Sequence, residues 1–110
     1  MLPVDIRNEI VSNLKHDKEV YHVILFGSYA KGNPGADSDI DIVVIINRSG
    51  FNTSYTEMLE TRERVGKRLI ELRKKIPVDL LVYTIDEWER LKSTGNDFIR
   101  SIEEQSVVLL

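Results

Sequence analysis

The sequence contains no cysteine in its 110 residues. Disulfides, zinc–thiolate sites and thiol nucleophiles are thereby excluded. Long apolar runs are also missing. No stretch approaches the roughly 18 consecutive apolar residues that a membrane-spanning helix requires. Met1 to Lys15 alternate apolar and charged side chains, without the apolar block of a signal peptide. Nor is there an excess of basic charge. The formal net charge is −3, so a bulk nucleic-acid partner gripped through phosphate neutralisation is not expected. A nucleotide held by backbone groups and a metal ion remains open. What is present, 42% hydrophobic and 30% charged residues, is ordinary globular usage. The length fits one domain, residues 1–110, whose default location is the cytoplasm.

Hydrophobic periodicity divides the chain into alternating elements. Ile6, Ile10 and Leu14 recur at four-residue spacing with Val11 beside them, predicting a helix over about 3–15, and Pro3 suits its first turn. Val20 to Phe26 reads as a buried strand ending at Gly27, and Asp39 to Ile46, dense in β-branched residues, as a second. Between them lies a stretch rich in turn formers, Gly27 to Gly35. A long helix is predicted over about 55–75, with the apolar stripe Met58, Leu59, Val65, Leu69, Leu72 and Ile76. Gly66 inside it suggests close packing against another element, since glycine there costs ~1 kcal/mol against alanine. Pro77 ends that helix and Val78 to Tyr83 follows as a strand. Thr84-Ile85-Asp86-Glu87 has capping-box spacing and opens a helix through Leu91. A last helix over about 97–104 leads into an apolar strand, Val107 to Leu110. The order α-β-β-α-β-α-α-β indicates an α/β or α+β domain with a small mixed sheet flanked by helices.

Asp39 and Asp41 stand two residues apart at the start of a strand, so both carboxylates point to one face. Ile40, Ile42 and Val44 face the other way, into the core. Two carboxylates this close repel each other. A divalent cation removes the conflict, and oxygen-only ligands select Mg²⁺ or Mn²⁺ over zinc. Asp79 lies among apolar neighbours, Ile76 to Val82, where an unpartnered buried carboxylate is costly. If its strand adjoins the second, it joins the other two around the same metal. Gly27-Ser28, directly after a strand, offers close backbone approach to a phosphate and a hydroxyl. Gly27 and Gly32 have the glycine spacing of a P-loop, but Asn33-Pro34 follow where Lys-Ser/Thr is required, so the P-loop is rejected. The dinucleotide-binding glycine fingerprint is absent too.

Leu25-Phe26-Gly27-Ser28-Tyr29-Ala30-Lys31-Gly32, followed by Ser38-Asp39-Ile40-Asp41-Ile42, resembles the signature of the polymerase-β-like nucleotidyltransferases. That signature is Gly-Ser, ten residues, then Asp-x-Asp, and the match has no gap. The resemblance implies that family's fold and a Mg²⁺-dependent transfer (one or two ions) of a nucleotide from ATP to a hydroxyl. Asp39 and Asp41 would hold the metal against the triphosphate, and Gly27 and Ser28 would cradle its β- and γ-phosphates. Lys31 would add a charge near them, or is simply a solvated loop lysine. Asp79 would bind a second metal or act as base. In length the chain resembles the minimal, stand-alone group, the MNT domains, which lack the helical acceptor domain of larger relatives. Members of that group commonly pair with a HEPN-type toxin and act as its antitoxin by transferring AMP to a tyrosine. Two alternatives stay open: occlusion of the partner without catalysis, and a small-molecule acceptor bound at a homodimer or a separate helical subunit.

The remaining features carry plainer expectations. His16 and His22 are surface or structural residues, and Trp88 is packing. Arg62, Arg64, Lys67, Arg68, Arg73, Lys74 and Lys75 are interleaved with Glu60, Glu63 and Glu71, and pairing at helical spacing is the expectation, a partner-binding face the alternative.

Overall fold

Both runs densest in apolar residues become the central strands of one sheet. The computed structural model describes residues 2–35 and 37–110. Its elements are α1 (Val4–Leu14), β1 (Val20–Phe26), α2 (Gly27–Lys31), β2 (Ile40–Ile46), α3 (Tyr55–Lys67), α4 (Ile70–Arg73), β3 (Val78–Thr84), α5 (Ile85–Thr94), α6 (Asp97–Glu104) and β4 (Val107–Val108). The sheet order is β3-β2-β1-β4. β2 runs antiparallel to β1 and parallel to β3, and β4 is antiparallel to β1. The sheet is therefore mixed, as expected. The parallel β2–β3 pair requires a crossover, which α3 and α4 provide.

The sheet is buried on both faces rather than on one. Ile40, Ile42, Val44 and Ile46 pack with Ile10 and Leu14 of α1, Val65 of α3, Leu69 just before α4 and Leu72 within α4. Val43 and Ile45 face the opposite way and pack with Trp88, Ile99 and Ile102 of α5 and α6. At the start of β2 and β3 this second face is less covered, leaving Asp41 half-buried and Asp79 exposed. Ile40, Ile42 and Val44 face the first core as expected, and beyond Asp41 the other face of β2 is apolar as well.

The helix predicted over 55–75 is broken. Arg68 and Leu69 donate to the carbonyls of Val65 and Gly66, each at 3.0 Å. These bonds reach back three residues rather than four, so the α-helical ladder stops there. Met58, assigned to the buried stripe, is exposed, and Thr61 is buried in its neighbourhood instead. Gly66 is buried against β3, yet a Cβ there would stand 3.8 Å from Leu80 Cδ2 and 3.5 Å from Arg73 Nη1, leaving room for a methyl group. The capping box is present: Thr84 Oγ1 accepts from the Glu87 N–H at 3.1 Å, and Glu87 accepts from the Thr84 N–H at 2.8 Å. β4 is shorter than the strand predicted over 107–110, although the Leu109 N–H still donates to the Val23 carbonyl at 2.8 Å.

Part of the basic run serves a buried carboxylate that periodicity does not mark. The Asp17 side chain is only 4% exposed. It accepts from the Glu19 N–H at 3.0 Å and from Arg64 Nη1 at 2.8 Å, with Arg68 Nε at 3.5 Å. Burial pushes the Asp17 carboxyl up, but these hydrogen bonds and the two guanidinium charges outweigh it and hold it below the usual range. A carboxyl whose pKa is depressed in the folded state contributes stability above its unfolded value. That contribution disappears as pH falls through the folded value. Melting temperature should therefore drop below about pH 4. Asp17→Asn should lose about 2 kcal/mol at neutral pH, because Arg64 loses its closer carboxylate and keeps only Glu19 at 3.4 Å, and should show a flatter acid limb in a melting series. An unchanged acid limb would count against this role.

Candidate active site

Backbone register brings the acidic residues together. The Ile40 N–H donates to the Pro77 carbonyl at 2.9 Å, tying the start of β2 to the start of β3. In the parallel ladder that follows, Asp41 stands beside Asp79. Asp39 immediately precedes β2, and alternation places it on the same face as Asp41 and Asp79. On the other side of β2, antiparallel register sets Phe26 opposite Asp41. The next residue, Gly27, begins α2, so the glycine–serine turn sits at the same end of the sheet as the carboxylates.

Gly27 has φ +72°. A side chain on it would overlap Asp41 Oδ2 and lie 3.0 Å from Asp41 Cγ. The glycine is thus required twice, by its left-handed backbone and by the Asp41 carboxylate pressed against it. α2 continues through Ser28 to Lys31 and closes on Gly32, where the Asn33 N–H donates to the Ser28 carbonyl at 3.1 Å. Ser38 fastens the intervening loop by accepting from the Gly35 N–H at 2.7 Å. Gly27 and Ser28 are half-buried; Lys31 is exposed, and among the described residues it pairs with no carboxylate.

Asp41 is half-buried, whereas Asp39 and Asp79 are exposed. Burial first, then the charges of Asp79 and Asp39, push the Asp41 carboxyl up from its ordinary value. Among the described residues no lysine or arginine forms an ion pair with any of the three. Nor do three acidic or imidazole groups stand close enough together to enclose an ion as they are. The arrangement is a set of carboxylates with uncompensated repulsion around one half-buried member, Asp41, with Asp39 and Asp79 exposed at the surface on the same face. This donor set fits a hard divalent cation of the Mg²⁺ class.

β3 adjoins β2, so Asp79 falls beside Asp41, and Asp39 lies on the same face. Asp17 and the contact between Gly27 and Asp41 escape a sequence reading, because both depend on residues distant in the chain. The available signal for the second was a glycine ending one apolar strand and an aspartate beginning the next. Trp88 is buried in the core, as expected of packing, and His22 Nδ1 lies 3.1 Å from the Leu110 carbonyl in a structural role. Among the described residues no helix is long and apolar enough to cross a membrane.

The model of the nucleotidyltransferase domain family matches residues 6–109. A Methanocaldococcus jannaschii protein named as a protein adenylyltransferase is 35% identical over 95 residues, which is 86% of this chain and 81% of that protein. Among solved structures, a toxin–antitoxin crystallised with AMP-PNP is similar with a TM-score of 0.56 and 24% identity, over 94% of this chain and 72% of that one. A mutant of the toxin–antitoxin MntA-HpeT is similar with a TM-score of 0.56, 21% identity and the same coverage. At these identities the two crystal structures establish a shared fold.

Proposed function

The chain belongs to the nucleotidyltransferase domain family, and from that membership we propose that it is a Mg²⁺-dependent enzyme that transfers AMP from ATP to a tyrosine of a HEPN-type toxin partner, as the antitoxin of the pair. The carrying observation is the juxtaposition of Asp41 with Asp79 in parallel register, with Gly27 packed on the Asp41 carboxylate. The Methanocaldococcus jannaschii relative carries the name of a protein adenylyltransferase, and the similar crystal structures are toxin–antitoxin assemblies, one of them with an ATP analogue. These points favour ATP as donor and a protein as acceptor.

In this reading Asp39 and Asp41 hold the metal ion, which when bound supplies positive charge against the triphosphate. The Gly27-Ser28 turn offers its backbone and the Ser28 hydroxyl to the β- and γ-phosphates, and Lys31 lies at the far end of the same short helix. Asp79, exposed beside Asp41, either takes the proton of the acceptor hydroxyl or shares a second ion. The acceptor oxygen forms a bond to the α-phosphorus, the bond from that phosphorus to the bridging oxygen breaks, and pyrophosphate leaves with the electron pair. Holding these groups in line removes much of the entropic barrier. The whole chain acts as one nucleotidyltransferase domain. Simple occlusion of a partner does not require three carboxylates without a compensating cation, and the acidic cluster weighs against it.

The test is intact-mass spectrometry of the chain mixed with a HEPN-type partner from the same genome, Mg²⁺ and ATP. One-AMP increments on the partner, abolished by EDTA, are expected. A stable complex whose partner stays unmodified would overturn the enzymatic reading in favour of occlusion.

A further inference from the structure

Along α3 and α4 runs a groove of about 360 Å³ lined by Leu59, Arg62, Gly66, Lys67, Ile70 and Arg73, with Glu63 at its side. The tightened turn at Arg68 and Leu69 separates the two helices, and Gly66 contributes no side chain, so the floor stays low. Ile70, 48% exposed, and the half-buried Leu59 make that floor apolar. The rim is basic. Arg62, Lys67 and Arg73 outnumber Glu63 on this face of a chain whose net charge is −3.

These cations differ from the others on the same helices. Lys74 pairs with Glu71 at 3.1 Å, and Arg64 and Arg68 turn to Asp17. Among the described residues Arg62, Lys67 and Arg73 pair with no carboxylate. Arg73 Nη2 instead donates to the Val78 carbonyl at 3.4 Å, one residue before Asp79. β3, which carries Asp79, is an edge strand. Arg73, at one end of the groove, therefore reaches the open edge of β3, and the next residue, Asp79, turns to the other face of the sheet at that same edge.

We infer that this groove docks an acidic segment of the acceptor protein and so presents the acceptor's hydroxyl to the carboxylate edge at Asp79. The inference rests on the protein-directed transfer proposed above and names the surface that selects the acceptor. Charge complementarity is the argument. The carboxylate edge repels an acidic approach, whereas the groove offers the unpaired Arg62, Lys67 and Arg73, the last of them at that edge, over an apolar floor of Leu59 and Ile70 that suits one uncharged side chain. A nucleic acid is a poorer occupant. Its regularly spaced phosphates would meet three cations and then the acidic edge.

The test uses two labelled peptides of equal length, each with one tyrosine, flanked by glutamates in one and by lysines in the other. Fluorescence anisotropy at low salt should show the wild type binding the acidic peptide at least about tenfold more tightly than the basic one, with the difference shrinking as salt rises. Arg62→Glu with Lys67→Glu should abolish that preference, and Arg62→Ala with Lys67→Ala should reduce it. Both pairs should keep the Mg²⁺-ATP melting shift of the wild type, since neither touches the carboxylates or the Gly27-Ser28 turn. Equal affinity for the two peptides, a preference that survives charge reversal, or tighter binding of polyuridylate than of the acidic peptide would each overturn the docking site. Selective binding without any AMP transfer to the acidic peptide or to the partner protein would instead count against the proposed activity and leave the docking site standing.

Discussion

Replacing Asp41 with asparagine is expected to reduce nucleotide transfer by roughly 10³-fold or more, while the protein without metal melts no lower than the wild type. The two effects have one cause. Asp41 is half-buried beside Asp79 and Asp39, and burial and repulsion together push its carboxyl up. A carboxyl with a raised folded pKa holds its proton more tightly in the folded chain. Its ionisation therefore works against folding as pH rises through the carboxylate range. Asparagine keeps the shape and removes the charge, which relieves the fold and, on the proposed function, takes away the most buried of the carboxylates that would hold the metal. The comparison to make is transfer rate beside thermal melts with and without Mg²⁺-ATP. The wild type should gain stability from ligand according to RT ln(1 + [L]/Kd), and the variant should gain far less. Transfer within about tenfold of the wild type, or a melting temperature that falls without ligand, would refute this account of Asp41.

Gly27→Ala should be the most damaging change that adds only a methyl group. Its positive φ costs an L side chain roughly 1–2 kcal/mol. The added Cβ would also lie 3.0 Å from Asp41 Cγ and overlap the carboxylate oxygen. Either the turn or Asp41 must move. A displacement on the order of 1 Å at a reacting centre costs about 10²-fold in rate. The expected result is a loss of about 2–3 kcal/mol in stability together with a transfer rate about 10²-fold lower. Gly95→Ala separates the two contributions. Gly95 also has positive φ, +61°, but nothing lies within 4 Å of where its Cβ would stand. That variant should lose stability from strain alone and keep its transfer rate. Should both variants lose the same stability and neither lose activity, the contact between Gly27 and Asp41 would have no catalytic meaning.

Much of the fold can be read from the chain because its signals are local. Val20 to Phe26 and Asp39 to Ile46 are apolar and β-branched over the length of a strand, and the structure makes strands of both. The Thr84–Glu87 box opens α5 because its reciprocal hydrogen bonds lie within one turn. The break at Arg68 and Leu69 was not legible. An apolar stripe at helical spacing runs through it, and a tightened turn changes that spacing by too little to show. The exposure of Met58 was hidden for a related reason: periodicity gives a face but not how far the covering layer extends over it.

The candidate site divides in the same way. By itself the sequence determined that Asp39 and Asp41 share a face, that a glycine–serine turn follows an apolar strand, and that the combination resembles one family signature. Each of these depends on residues within a few positions of one another. Only the tertiary structure decided that Asp79 stands beside Asp41, that Gly27 presses on the same carboxylate, and that Arg64 and Arg68 turn to the buried Asp17, leaving Arg62, Lys67 and Arg73 unpaired along the groove. Strand register and ion pairing between distant segments are set by how the two cores close around the sheet. That closure is a property of the whole chain, and no window of the sequence contains it.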